Sequence, residues 1–87
     1  RAKIRDGQYV LTFHAIDEMA AEGLTEEEVE ESILVGRIVR RQKDRLGRRR
    51  SAIDGRTNAG RPVRIVCRFS DSGEQVVVIT VYEVEEE

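Results

Sequence analysis

The side chains able to do chemistry in this sequence of 87 residues are few: one histidine, His14, one cysteine, Cys67, two tyrosines and a surplus of arginine. Thirteen of the fifteen basic residues are arginine, whose planar fork binds phosphate bidentately where lysine cannot. Histidine titrates nearest neutrality and can act as a general acid or base. Asp17 and Glu18 follow His14 by three and four residues, within hydrogen-bonding reach on one helix face. The same ring could instead cap the helix or bond the preceding strand, and a lone histidine does not decide between these. One histidine and one cysteine do not build a zinc site, and no GxxxxGK or GxGxxG loop is present to hold a nucleotide. No metal and no cofactor is therefore expected. Cys67 falls on the inward side of a predicted strand, where it is an inert core residue rather than a nucleophile. What is left is metal-free phosphodiester chemistry. RNA carries its own nucleophile in the 2′-hydroxyl, cationic side chains stabilise the transition state, and a histidine or tyrosine moves the protons.

Charge is distributed unevenly along the chain. The net charge is −2, which argues against a protein that coats nucleic acid. Yet Arg37 to Arg68 holds twelve basic residues against Asp44 and Asp54, while Asp17 to Glu31 holds eight acids and no base. Such segregation creates a basic surface that recruits phosphate and an acidic one that faces elsewhere. The two blocks can equally attract each other within a soluble domain that is 37% charged.

One small domain with one core is expected over 1–87, with 1–7 and 84–87 frayed. The single cysteine excludes an internal disulfide and suits a reducing compartment, so cytoplasm is the expected location. No apolar run approaches the ~18 residues that span a bilayer, and no membrane partner is expected. No charged-then-apolar leader opens the chain, and position 1 is arginine rather than methionine, as in a trimmed chain.

The elements that must position these groups can be read in order. Tyr9-Val10-Leu11 is a short strand, and Thr12 is a fit N-cap for a helix from about Phe13 to Glu22, with Leu11 and Ile16 as its hydrophobic staple. Phe13, Ile16, Met19 and Ala20 recur at spacings of three and four and define its buried stripe, and Gly23 supplies a left-handed C-cap. Thr25 and Glu28 make a capping box for a second helix, in which Val29, Ile33 and Leu34 face inward and Gly36 marks the end. The period then changes from 3.6 to 2. Arg37 to Arg40 is a strand, Arg41 to Gly47 a basic loop, and Arg49 to Asp54 the next strand. A turn over Gly55 to Gly60 leads to a strand over Val63 to Phe69, and Asp71-Ser72-Gly73 closes a hairpin onto Val76 to Tyr82. That last unbroken β-branched run suits a central strand covered on both faces.

The fold class is α+β: a short N-terminal strand, a two-helix hairpin, then a three- to four-stranded antiparallel sheet with both helices on one face. Alternation sends Val63, Ile65, Cys67 and Phe69 into the core and Arg64 and Arg68 outward with Val66. On the last strand it sends Val77, Ile79 and Val81 inward and Thr80 and Tyr82 outward, beside those arginines. This open face, fringed by the loop Arg40 to Arg50 with Arg49 and Arg50 in it, is the expected seat of a phosphodiester backbone.

Several patches together resemble a known family: Leu11-Thr12-Phe13-His14-Ala15, Met19, Gly23-Leu24-Thr25-Glu26-Glu27, Val29, Gly36-Arg37-Ile38, Gly60-Arg61-Pro62-Val63 and Val78-Ile79-Thr80-Val81-Tyr82-Glu83. They look like a widespread prokaryotic domain of unknown function whose opening motif approximates HAxxRMxxRGI, with the likeness running from about Gln8 to Glu83. That family is similar to RelE-like and BrnT-like toxins of toxin–antitoxin systems. The resemblance implies a RelE-like fold, a metal-independent ribonuclease of the mRNA interferase type, RNA as partner, with ribosome-bound mRNA as one form of it, and a cognate antitoxin protein. His14, Arg61 and Tyr82 match positions of the pattern; Arg64 and Arg68 come from the strand alternation alone. The chain departs from the motif at Glu18 and Glu22, where the family has arginines. The expected site is then His14, Tyr82 and Arg64 for catalysis and Arg49, Arg50, Arg61 and Arg68 for phosphate. The rival expectation is a non-catalytic binding module that uses the basic face or the acidic helical hairpin.

Overall fold

The computed structural model describes residues 1–85. The elements run α1 (Ala2–Arg5), β1 (Tyr9–Leu11), α2 (Phe13–Glu22), α3 (Glu26–Val35), β2 (Arg37–Lys43), β3 (Arg49–Arg56), β4 (Pro62–Phe69) and β5 (Val76–Glu83). The strands form one five-stranded sheet in the order β1-β5-β4-β3-β2. Hairpin connections make β2 through β5 antiparallel, whereas β1, which leads through two helices to β2 at the far edge, pairs β5 in parallel. The class is α+β with the helices on one side of the sheet, α2 chiefly on β5 and α3 on β3 and β4. No helix among the described residues is long and apolar enough to cross a membrane.

Local chemistry sets the helix ends. Thr12 accepts from the Ala15 amide at 3.1 Å, and Gly23 closes α2 at φ +66. Thr25 and Glu28 form the reciprocal capping box that starts α3. The core is built from Val29 and Ile33 of α3, Ile53 of β3, Val63, Ile65 and Cys67 of β4, and Val78 and Val81 of β5.

Several expectations are corrected. Residues 1–7 are not a loose end: Ala2–Arg5 make a helical turn that buries Ile4, and the Arg1 guanidinium donates to the carbonyls of Ile33 and Gly36 at the end of α3. At the other terminus the Val84 amide bonds the Pro62 carbonyl at 2.9 Å, and 86–87 lie outside the described residues. The strand expected at Arg37 to Arg40 continues to Lys43, which shortens the basic loop to 44–48.

The stripe expected to bury Phe13, Ile16, Met19 and Ala20 is rotated: Ala15 and Met19 are buried, while Phe13 is 88% exposed and Ile16 and Ala20 also face solvent. The cause is polar. β1 stops at Leu11, leaving the edge of β5 without a strand beyond Val78. Thr12 takes over, its amide donating to the Val78 carbonyl and its hydroxyl to that of Ile79, and Glu18 accepts from the Val81 amide at 3.0 Å. An unmet amide there would cost about 1–3 kcal/mol, so α2 turns Glu18 rather than Phe13 toward the strand.

Parity also fails on β5. Val66 pairs with Thr80 but Cys67 pairs with Val78, so Ile79 is an extra residue in a bulge. Val78 and Val81 are therefore the fully buried pair, and Val77 and Ile79 are only half-buried. β5 lies between β1 and β4 as a central strand, but the helices cover one of its faces. Phe69, expected inside, is 62% exposed. A ten-residue helix rises about 15 Å while an eight-residue strand spans about 27 Å, so α2 and α3 leave the Phe69 end of the sheet bare.

Candidate functional site: the open face of the sheet

The register assembles rows across the uncovered face. Arg37 pairs with Asp54, Asp54 with Arg64, and Arg64 with Tyr82, which lines up four side chains over β2, β3, β4 and β5. The next row is Arg40, Ala52, Val66 and Thr80. Val39, Gln42, Arg64 and Tyr82 join that second row around a shallow depression of 390 Å³.

Arg64 is the centre of this surface. Its Nε donates to Asp54 Oδ1 at 2.6 Å and a terminal nitrogen to Oδ2 at 2.8 Å, a bidentate fork. That contact, followed by the Arg64 charge and then Arg37, holds the Asp54 carboxyl below the usual carboxylate range. Asp54 first and the Tyr82 hydroxyl second raise Arg64 above its ordinary value, so the guanidinium is permanently charged. With its two oxygens on the inner fork, Asp54 fixes the plane of the guanidinium while leaving its remaining donors toward solvent and Tyr82.

Of the expected site residues, Arg64 and Tyr82 are brought together, with Thr80 one position of the same face away. Arg68 and Arg50 lie on this face one row beyond Val66 and Ala52. Arg68 is turned partly inward, its guanidinium on the Phe69 carbonyl. Arg49, on the opposite parity, faces the helix side at the bare end of the sheet.

His14 is 66% exposed in the first turn of α2, at the sheet edge. Its Nε2 lies 3.1 Å from Glu18 Oε1, the same oxygen that accepts from the Val81 amide, so one carboxylate links the imidazole to the backbone beside Tyr82. Glu18 thus has a definite task at this edge of the sheet. Glu18→Ala should lower stability by about 1–3 kcal/mol through the stranded Val81 amide. Urea unfolding checks this, and a Glu18→Gln variant, whose carbonyl can still accept, should recover most of the loss.

Arg61 stands apart from the face. It donates to the carbonyls of Glu22 and Gly23 at 2.6 and 3.1 Å and to Glu83 at 2.5 Å, locking the C-terminus of α2 against the start of β4. Glu83 foremost raises it above its ordinary value. The acidic hairpin is similarly occupied. Glu26 and Glu30 accept from the Tyr9 hydroxyl, whose phenol is raised first by burial and then by those carboxylates; Glu28 serves the capping box, and Glu31 holds the Asn58 amide and side chain at 3.0 and 2.8 Å. Burial pushes the Cys67 thiol up, as befits a core residue.

Asp54 and Arg37 are the residues that reading the sequence missed. Both lie in the basic segment, and the strand parity that exposes Arg64 would expose Asp54 too, but only the pairing register puts them side by side.

Fold and site together define a small α+β domain with an arginine-rich open sheet face. The chain belongs to the family described as Domain of unknown function (DUF4258), whose family model matches residues 11–83. No curated protein and no solved structure matches it.

Proposed function

We propose that the open sheet face binds the phosphodiester backbone of RNA and that the protein is a toxin-like, metal-independent ribonuclease of the mRNA interferase type, held in check by a cognate antitoxin. The observation that supports this reading is the row Asp54, Arg64 and Tyr82, a pre-oriented guanidinium beside a phenol on a face otherwise populated by Arg37, Arg40, Arg50 and Arg68. The 2′-hydroxyl oxygen attacks the adjacent phosphorus and the bond to the 5′ oxygen breaks, giving a 2′,3′-cyclic phosphate and a free 5′-hydroxyl. Arg64 bears the charge that builds on the non-bridging oxygens, and Tyr82 donates the proton that the departing 5′ oxygen needs. His14, held by Glu18 at the edge of β5, takes the proton of the 2′-hydroxyl.

Single-stranded RNA incubated with the protein and excess chelator should yield cyclic-phosphate and 5′-hydroxyl ends. Tyr82→Phe should slow this about 100-fold without changing binding. Intact RNA at large protein excess defeats the nuclease, and no binding even at low salt defeats the RNA reading as a whole. A second reading, binding without cleavage, is favoured by Asp54 itself, because a carboxylate on the Arg64 fork offsets part of the charge a transition state would use. The same gel separates the two.

A further inference from the structure

We propose that the bare end of the sheet is a nucleobase pocket, in which Phe69 stacks on one base of a single strand while the surrounding cations hold the flanking phosphates. This rests on the RNA reading above and adds where a base is received. A void of 480 Å³ lies at this end, on the helix side of the sheet, floored by Cys67, Phe69 and Val76 and rimmed by Arg41, Lys43 and Arg49. Its ligand must be apolar and flat on one side and anionic on the other, because the floor is aromatic and aliphatic and the rim carries three cations. A nucleotide has that division: a base with a π-face joined to phosphate.

Three features set this groove apart from an ordinary solvated strand end. Phe69 exposes 62% of its surface at a position whose alternation would place it in a core. Among the described residues that line it there is no carboxylate, so nothing within the groove offsets its cations. Gln42, on the edge strand β2, lines both this groove on the helix side and the depression over Arg64 and Tyr82 on the open face, so one strand of RNA can pass between them round that edge.

The test compares two labelled probes by fluorescence anisotropy at low salt: a single-stranded RNA hexamer and a hexamer of identical charge with abasic ribose throughout. Phe69→Leu should weaken the RNA hexamer at least about fivefold and leave the abasic probe unchanged, whereas Phe69→Trp should retain both. The unchanged abasic binding also reports that the leucine variant is folded. Equal affinity of the wild type for the two probes, or equal loss of both in Phe69→Leu, overturns the base pocket while leaving phosphate recognition standing. Failure of the wild type to bind either probe overturns the RNA reading and this proposal with it.

Discussion

Gly55→Ala should destabilise the protein by about 3 kcal/mol, at the upper end of what one added methyl does in a packed core. A Cβ on Gly55 would sit 1.9 Å from the Ser32 carbonyl oxygen and 2.7 Å from the carbon that bears it. Neither atom belongs to a side chain that can swing aside. Ser32 is completely buried and its hydroxyl donates to the Glu28 carbonyl at 2.9 Å, so the second turn of α3 is fixed at the point of contact. Gly36 repeats the demand one turn later, where a Cβ would meet the Ile53 side chain and the Ser32 oxygen at 2.7 Å. Two glycines, one ending the helix and one in the facing strand, thus let α3 lie backbone to backbone on β3. Making room would lift Val29 and Ile33 off the sheet. The expected drop in melting temperature is roughly 12–25 °C for a domain of this size, read by circular dichroism. Gly73→Ala is the control. It sits at φ +77 with nothing near its Cβ and should cost only about 1 kcal/mol. Equal small losses in both variants would show that α3 does not rest on β3 in this way.

Gly55 illustrates which parts of the molecule could be read in advance. Features decided within a few residues of chain were legible: the Thr12 and Thr25 caps, the left-handed turn at Gly23, the alternation of β4 that buries Ile65 and presents Arg64. Features decided by a partner element were not. The parity of β5 turns on a bulge at Ile79, and a bulge exists only relative to the strand it is paired with. The orientation of α2 follows from the need of the β5 edge for an acceptor, which Glu18 meets at the expense of burying Phe13. Gly55 looked like the start of a turn because nothing local announces a helix lying against it. The site divides along the same line. Arg64, Tyr82 and Thr80 share a face by alternation, but Asp54 became part of it through register, and Arg61 left it because the carbonyls at the end of α2 need donors.

The pairing of Asp54 with Arg64 gives the sharpest functional expectation. If cleavage depends on a guanidinium held in one plane, Arg64→Ala should lower the rate of RNA cleavage about 1,000-fold. Arg64→Lys should recover little, since an ammonium cannot take the two carboxylate oxygens and a phosphate together. Asp54→Asn separates orientation from charge. It relieves Arg64 of its counter-ion, so RNA should bind at least as tightly and with a steeper salt dependence, while turnover falls by about tenfold or more as the fork loses its anchor. A fall in kcat with KM unchanged or improved identifies Asp54 as a positioning residue; parallel worsening of both would reduce it to a structural contact. The acid limb offers an independent check with a definite sign. Because Arg64 depresses the folded-state pKa of Asp54, the pair's contribution to stability is fully present above the ordinary carboxylate value of about 3.9 and is lost as pH falls through the lower folded value. The Asn variant should therefore be less stable than wild type at neutral pH, and the gap should close only in strong acid, below the point where free carboxylates have already taken up their protons. A gap that closed near pH 6 would point to another titrating group and break the link between the fork and the face it organises.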